Sequence, residues 1–131
     1  MTHPIVNLQA ALVAAQEGDA ALTALVGASG VFDAPPQNRP APYVVIDRHD
    51  IRQVDGDGTP GQEHRVLVNC WADRPSRKAA LAIAERVMAV RTGLTPAGLA
   101  VTLAEHVRTE TVIDAATGQA RAAVLLRFLT E

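Results

Sequence analysis

Residues 68–80 read VNCWADRPSRKAA, and the parsing of this stretch decides the fold. It crowds Cys70, Trp71, Asp73, Arg74, Arg77 and Lys78 together, a composition shared by nucleophilic sites and by strand-to-helix junctions. A cysteine attacks as its thiolate and needs a base to hold it so, and no histidine lies in the stretch. Cys70 instead continues the alternation of Val66 and Val68, which places the thiol in a core as a small hydrophobe. Asp73 and Pro75 then stand where a helix begins, with the carboxylate expected to accept bonds from the first free N–H groups. The stretch turns a strand into a helix, and Cys70 is expected to be buried and not catalytic.

Working outward, SRKAALAIAERVMAVRTG (76–93) places Ala80, Ile83, Ala84, Val87 and Val90 on one helical face, with Gly93 as the stop. Before the junction, YVVIDRH (43–49) and EHRVLVNCWA (63–72) read as strands, joined by a Gly- and Asp-rich hairpin loop over 50–62. After it, LAVTLAEHVRTETVID (99–114) and RAAVLLRFLTE (121–131) read as two more strands around the turn AATGQ. Upstream, Ile5, Leu8, Leu12 and Ala15 mark a first helix that Gly18 ends. Asp19 then caps a short second one with Leu22, Leu25 and Val26 as its buried stripe. Residues 28–42, with four prolines, read as an extended connector within one domain.

The expected fold is α+β in the order α-α-β-β-α-β-β. It is a single domain over 1–131, with a four-stranded, mostly antiparallel sheet and the helices packed on one face. Alternation then sends Ala122, Val124, Leu126 and Phe128 toward the helices, and leaves Leu67, Trp71, Leu125 and Leu129 on the far side. An apolar set there marks a contact with another chain, so these four are the candidate interface residues.

Composition narrows the function. The chain has 131 residues, 48% of them hydrophobic, which suffices for one globular core. Its net charge is −2 and only one Trp, one Tyr and two Phe are present, which argues against a basic, base-stacking nucleic-acid surface. A lone cysteine forms no internal disulfide. The first residues lack the basic start of a secretory signal, and no run is long enough for a membrane span, so synthesis in the cytoplasm is expected.

Catalytic patterns are lacking: there is no Ser-His-Asp spacing, phosphate loop or CxxC pair. His49, Asp50, Glu63 and His64 flank the hairpin loop and could meet across the strand pair. Asp55, Asp57 and Gly58 within the loop imitate part of a calcium loop. The imitation fails at Gln53 and His64, which occupy the first and the closing ligand positions. His106 and His3 read as surface or interface histidines. No catalytic residue, cofactor or metal ligand is assigned, and the chain is read as a non-enzyme.

The whole pattern carries a resemblance. LQAALVAAQEGDAALTALVGASGVFDAPPQNRPAPYVVI, then EHRVLVNCWADRPSRKAALAIAERVMAVRTGL, a long strand and a closing AVLLRFLTE resemble the tail-terminator, or tail-completion, proteins of long-tailed bacteriophages and gene transfer agents. The matching elements are the short helix ending in ALVG, the PYVVI strand after the proline-rich connector, the strand ending in Trp71 and the helix directly after it. The resemblance implies a structural protein that forms a hexameric ring on the last ring of a tail tube, stops tube growth and offers the surface that meets the head. The implied partners are further copies of itself, the tail tube protein and a head–tail connector or neck protein, with DNA passing through the ring lumen and no membrane. The implied location is the tail of a phage-like particle or virion, after synthesis in a bacterial cytoplasm. Two other readings stay open: a non-catalytic adaptor or neck protein of such a particle, and a small metal-binding enzyme using the 49–64 loop.

Overall fold

In the computed structural model, which describes residues 2–54 and 61–131, the strand ending at Trp71 gives way to a helix beginning at Arg77. Ser76 is the N-cap, its hydroxyl accepting from the Ala79 N–H at 3.1 Å. Asp73, expected to cap, lies instead against Arg74 at 3.2 Å. The cause is Pro75, whose ring keeps the residue before it out of helical conformation, so the helix starts only beyond the proline and leaves Asp73 out of reach.

The elements run α1 (Pro4–Glu17), α2 (Ala20–Val26), β1 (Val31–Phe32), β2 (Tyr43–Gln53), β3 (Gln62–Trp71), α3 (Arg77–Ala89), β4 (Val101–Ile113) and β5 (Ala120–Thr130). Among the described residues the sheet therefore has five strands rather than four, in the order β1-β2-β3-β5-β4. The strand missing from the sequence reading is β1, two residues inside the proline-rich connector, parallel to Val44 and Val45. It exists because β2 offers a free edge there, and Gly30 C=O accepts from the Val44 N–H at 2.8 Å. The other neighbours are antiparallel.

β2 and β3 run further into the hairpin than the 50–62 loop allowed, pairing out to Gln53 and Gln62. The Gly and Asp content of 50–62 suggested loop from Asp50 onward, but Asp50–Gln53 continue the strand, with Arg48, Asp50 and Arg52 as its solvent-facing half. The calcium-like residues Asp55, Asp57 and Gly58 lie outside the described residues. The β4–β5 turn carries its own chemistry. The Asp114 carboxylate accepts from the Thr117 N–H and hydroxyl, and Gly118 takes φ +71°, a conformation costly for residues with a Cβ.

One core lies between the helices and the sheet. Val44, Ile46, Val66, Val68, Cys70, Val124, Leu126 and Phe128 face Leu8, Leu12, Leu22, Val26, Ala80, Ile83, Ala84 and Val87. Each fully buried large aliphatic or aromatic side chain contributes about 1.5–3 kcal/mol. The stripes differ slightly from expectation. α1 fully buries Leu8, Leu12 and Gln16 at every fourth position, with Ala15 partly buried against the core, and Leu25 of α2 is 40% exposed. α3 ends at Ala89, before Gly93, with Arg91 donating to the Met88 carbonyl at 2.7 Å. Asp19 joins α2 to α3. It caps Leu22 and accepts two bonds from Arg86 at 2.8 and 3.0 Å, and this guanidinium and the cap hold the carboxyl below its usual range.

Candidate functional site: the uncovered face of the sheet

All three helices contribute to the single core on one side of the sheet, so the register of the strands defines what the other face presents. Across β2, β3, β5 and β4 its central row is Arg48, Leu67, Leu125 and Arg108. Leu67 and Leu125 oppose one another directly and are partly exposed. With the flanking arginines, Asp50 and Arg65, they line a groove of about 190 Å³.

Trp71 lies in another row, between Tyr43 and Arg121, and the Arg121 guanidinium carbon sits 5.9 Å from the centre of its ring. Leu129 lies toward the opposite end, opposite Glu63 on β3 and Leu103 on β4. Thus Leu67, Trp71, Leu125 and Leu129 share this face, but only Leu67 and Leu125 meet. Trp71 is four residues along β3 from Leu67, and Leu129 four along β5 from Leu125, roughly 13 Å of strand in each direction.

The row between Leu67 and Trp71 holds the buried Val45, Asn69 and Ala123 with Glu110 at its β4 end, whereas the row between Leu125 and Leu129 is charged throughout, Asp50, Arg65, Arg127 and Glu105. Glu63 is 3% exposed and is gripped by Arg127 (2.6 Å), Arg52 (3.0 Å) and Arg65 (3.3 Å). The hydrogen bond from Arg127, with those of its neighbours, holds the Glu63 carboxyl below its usual range against the opposing effect of burial. Asp50, Glu105 and Glu110 complete the acids on this face. The arginines are Arg48, Arg52, Arg65, Arg108, Arg121 and Arg127, six against four carboxylates. A chain of net charge −2 thus presents a face with a positive excess. The simple apolar patch expected from alternation is corrected to an apolar pair and separate apolar anchors set in an arginine-rich field. Sequence showed each residue's parity but not its neighbours, because the Glu63 cluster gathers side chains from three strands.

The histidine and carboxylate group at the hairpin is divided by the same alternation. His49 and His64 lie on the helix side, whereas Asp50 and Glu63 lie on the uncovered side, so the four do not converge on an ion. Among the described residues no group of three or more His, Cys, Asp or Glu is placed to hold a metal.

The two histidines form a linear chain. Gln9 Nε2 donates to His49 Nδ1 at 3.2 Å, which leaves His49 Nε2–H to donate to His64 Nδ1 at 2.9 Å. His64 Nε2–H then donates to the Thr130 hydroxyl at 3.2 Å. This assignment follows from the network, since each neutral imidazole has one donor and one acceptor. Burial holds His49 down at about 4, helped by the adjacent His64 and opposed by Asp50. Burial also lowers His64. The pair is a structural peg of neutral rings at pH 7.

Two other features of the opening stretch are settled. Cys70 is wholly buried and burial pushes its thiol far up, so it is held as the unreactive SH form. A cleft of about 470 Å³ lies at the start of α3, lined by Leu25, Pro42, Asp73, Arg74, Ser76 and Lys78 among others, and the Ser76 hydroxyl in it is engaged as the helix cap. Among the described residues no helix is long and apolar enough to cross a membrane.

Comparisons with known proteins bear on this arrangement. A chain from the virion of a native gene transfer agent particle has the same fold, with a TM-score of 0.86 and 23% identity, over 99% of each chain. The bacteriophage SPP1 gp17 protein superposes with a TM-score of 0.62 and 20% identity, over 95% of this chain and 90% of its own. No curated protein matches. The family described as Tail completion protein gp17 matches residues 10–131, from the first helix through the whole sheet. With that match spanning every strand of the uncovered face, the chain belongs to the tail completion protein gp17 family.

Proposed function

We propose that this protein is a tail terminator. It forms a ring, hexameric in our reading, on the end of a phage-like tail tube, stops the tube growing and presents the surface on which a head–tail connector or neck protein seats. The observation that carries this reading is the family match over residues 10–131, which assigns a structural role in tail completion. The likeness to a chain of a gene transfer agent virion supports a place in such a particle. DNA would pass through the lumen without being read.

The physical logic is one of symmetry. Stacked identical rings regenerate the same binding surface at every step, so growth ends only when something covers the last ring without offering an equivalent face. A ring of this chain does so if one side matches the tube and the other the neck. The uncovered sheet face suits assembly contacts, and Leu67, Trp71, Leu125 and Leu129 are assigned to them. Trp71 is the strongest single anchor, because large aromatic groups carry a disproportionate share of association energy.

Deletion of the gene is expected to leave tails of irregular or excessive length, unjoined to heads, by electron microscopy. Trp71→Ala is expected to reproduce this in part, with circular dichroism confirming that the variant folds. Tails of normal length joined to filled heads in the deletion strain would overturn the reading.

A further inference from the structure

The sheet has two unpaired margins. β4 forms one edge along its whole length, Val101–Ile113, and carries the exposed apolar residues Leu103, Val107 and Val112. The other margin is interrupted: β1 covers β2 only at Val44 and Val45, and beyond them the stretch Asp47–Gln53 has β3 as its only strand neighbour among the described residues. No proline interrupts either stretch. Long edges of this kind are templates for strand addition, which many proteins block with charges, prolines or bulges. Both edges here carry charges, and β4 has a bulge between His106 and Arg108, so their pattern decides whether they repel partners or select one.

On the uncovered face β2 presents Arg48, Asp50 and Arg52, and β4 presents Glu105, Arg108 and Glu110. β2, β3, β5 and β4 alternate in direction, so β4 runs opposite to β2. A second copy placed beside the first in the same orientation therefore brings its β2 antiparallel to β4, with the two uncovered faces continuous. Sliding one edge along the other leaves one register in which every charge meets its opposite: Glu110 with Arg48, Arg108 with Asp50 and Glu105 with Arg52. The bulge between His106 and Arg108 supplies the extra residue this register needs. A shift of two residues either way brings like charges together, Arg108 onto Arg52 or onto Arg48. The alternating signs attract in one register and repel in its neighbours.

We propose that β4 of one copy adds antiparallel to Asp47–Gln53 of the next copy, in the register that pairs Glu110 with Arg48, Arg108 with Asp50 and Glu105 with Arg52. The proposal rests on the ring reading above and supplies its contact between neighbours. The contact is heterologous, because different edges meet, and a heterologous contact closes into a ring when its repeated rotation divides a full turn without rise. β1 closes the slot at Val45, so in this register β4 pairs up to Thr111 and its last residues, Val112 and Ile113, turn aside from Phe32. All the arginine-rich faces then form one continuous wall, leaving Trp71 and the Leu67–Leu125 pair free for the tube or the neck.

The test uses particles that carry the chain with Arg48→Cys and Glu110→Cys introduced together. Directly paired antiparallel residues have Cα separations of roughly 4.5–5.5 Å, within disulfide reach. Cys70 is buried and does not interfere. Mild oxidation is expected to give a ladder of covalent multimers that collapses on reduction and is missing from either single variant. A ladder that stops at the dimer would overturn the head-to-tail arrangement. No disulfide ladder, with rings of this chain still seen at the tail end by electron microscopy, would overturn the edge pairing and leave the ring reading standing. Neither a ladder nor a ring would overturn both. In parallel, Glu110→Arg is expected to lower incorporation into particles at least tenfold, and Arg48→Glu in the same chain to restore it. Both side chains are exposed, so folding is preserved. Incorporation of Glu110→Arg at the wild-type level would also refute the pairing.

Discussion

Acidification from neutral pH to about 5 should weaken the fold through the histidine peg alone. His49 titrates near 4 in the folded chain and near 6.5 when unfolded. Between those values the unfolded state binds the extra proton, so stability falls as pH falls through this window. It is fully present above about 7, and below about 4 both states are protonated and the loss is complete. A single group with these constants loses about 2 kcal/mol by pH 5 and about 3 kcal/mol in total. His64, lowered by the same burial, adds loss in the same direction.

The geometry explains the sign. A proton added to either ring sets N–H against N–H across the 2.9 Å contact, or against the Gln9 amide. The acids with lowered constants, Asp19 and Glu63, keep their contribution until pH falls into the ordinary carboxylate range, so the window between 6.5 and 5 belongs to the histidines. Urea unfolding at intervals of pH, with the Trp71 fluorescence and circular dichroism as probes, measures the slope. His49→Gln is expected to lose about 1 kcal/mol at pH 7.5 and to flatten the profile. A flat profile for the wild type over this window, or stability rising on acidification, would refute the neutral-pair assignment.

Glu63→Gln should cost about 2 kcal/mol in urea unfolding, because three guanidiniums lose the charge they share; an unchanged midpoint would show that water replaces it. Phe128→Ala should cost about 3–5 kcal/mol by the same assay, since the ring is fully buried at the centre of the core. Cys70→Ala should cost about 1 kcal/mol and leave particle assembly intact, whereas Cys70→Asp should prevent folding by burying an unpaired carboxylate. The native thiol should react with a disulfide reagent only on unfolding, so rapid labelling of the folded protein would contradict its burial.

The element order was legible wherever a pattern was local. The alternation of Val66, Val68 and Cys70 and the turn after Asp114 are local and were found where the sequence places them, and the helical stripe expected from Ala80 to Val90 holds through Val87 but not at Val90, which is the C-cap beyond the helix. Errors came where the deciding partner is distant. β1 forms because Val44 and Val45 come alongside, not because Val31 and Phe32 announce a strand among prolines. The ends of β2 and β3 look like loop until Arg52 is seen opposite Glu63. The cap at Ser76 rather than Asp73 is a local matter, since a proline biases the residue before it away from helical conformation.

For the candidate site the same division holds. Parity along a strand is a covalent property, so the sequence by itself determined that Leu67 and Trp71 share one face of their strand with Cys70 on the other, and that Leu125 and Leu129 share one face of theirs. It also determined the family, because the full run of apolar and turn residues carries the resemblance. Only the tertiary structure decided which residues stand beside one another on that face. Register is a relation between strands far apart in the chain, and a slip of one residue would reverse every side chain. That relation separates Trp71 from Leu67, gathers Arg52, Arg65 and Arg127 on Glu63, splits His64 from Glu63 and leaves two edges whose charges match in a single register.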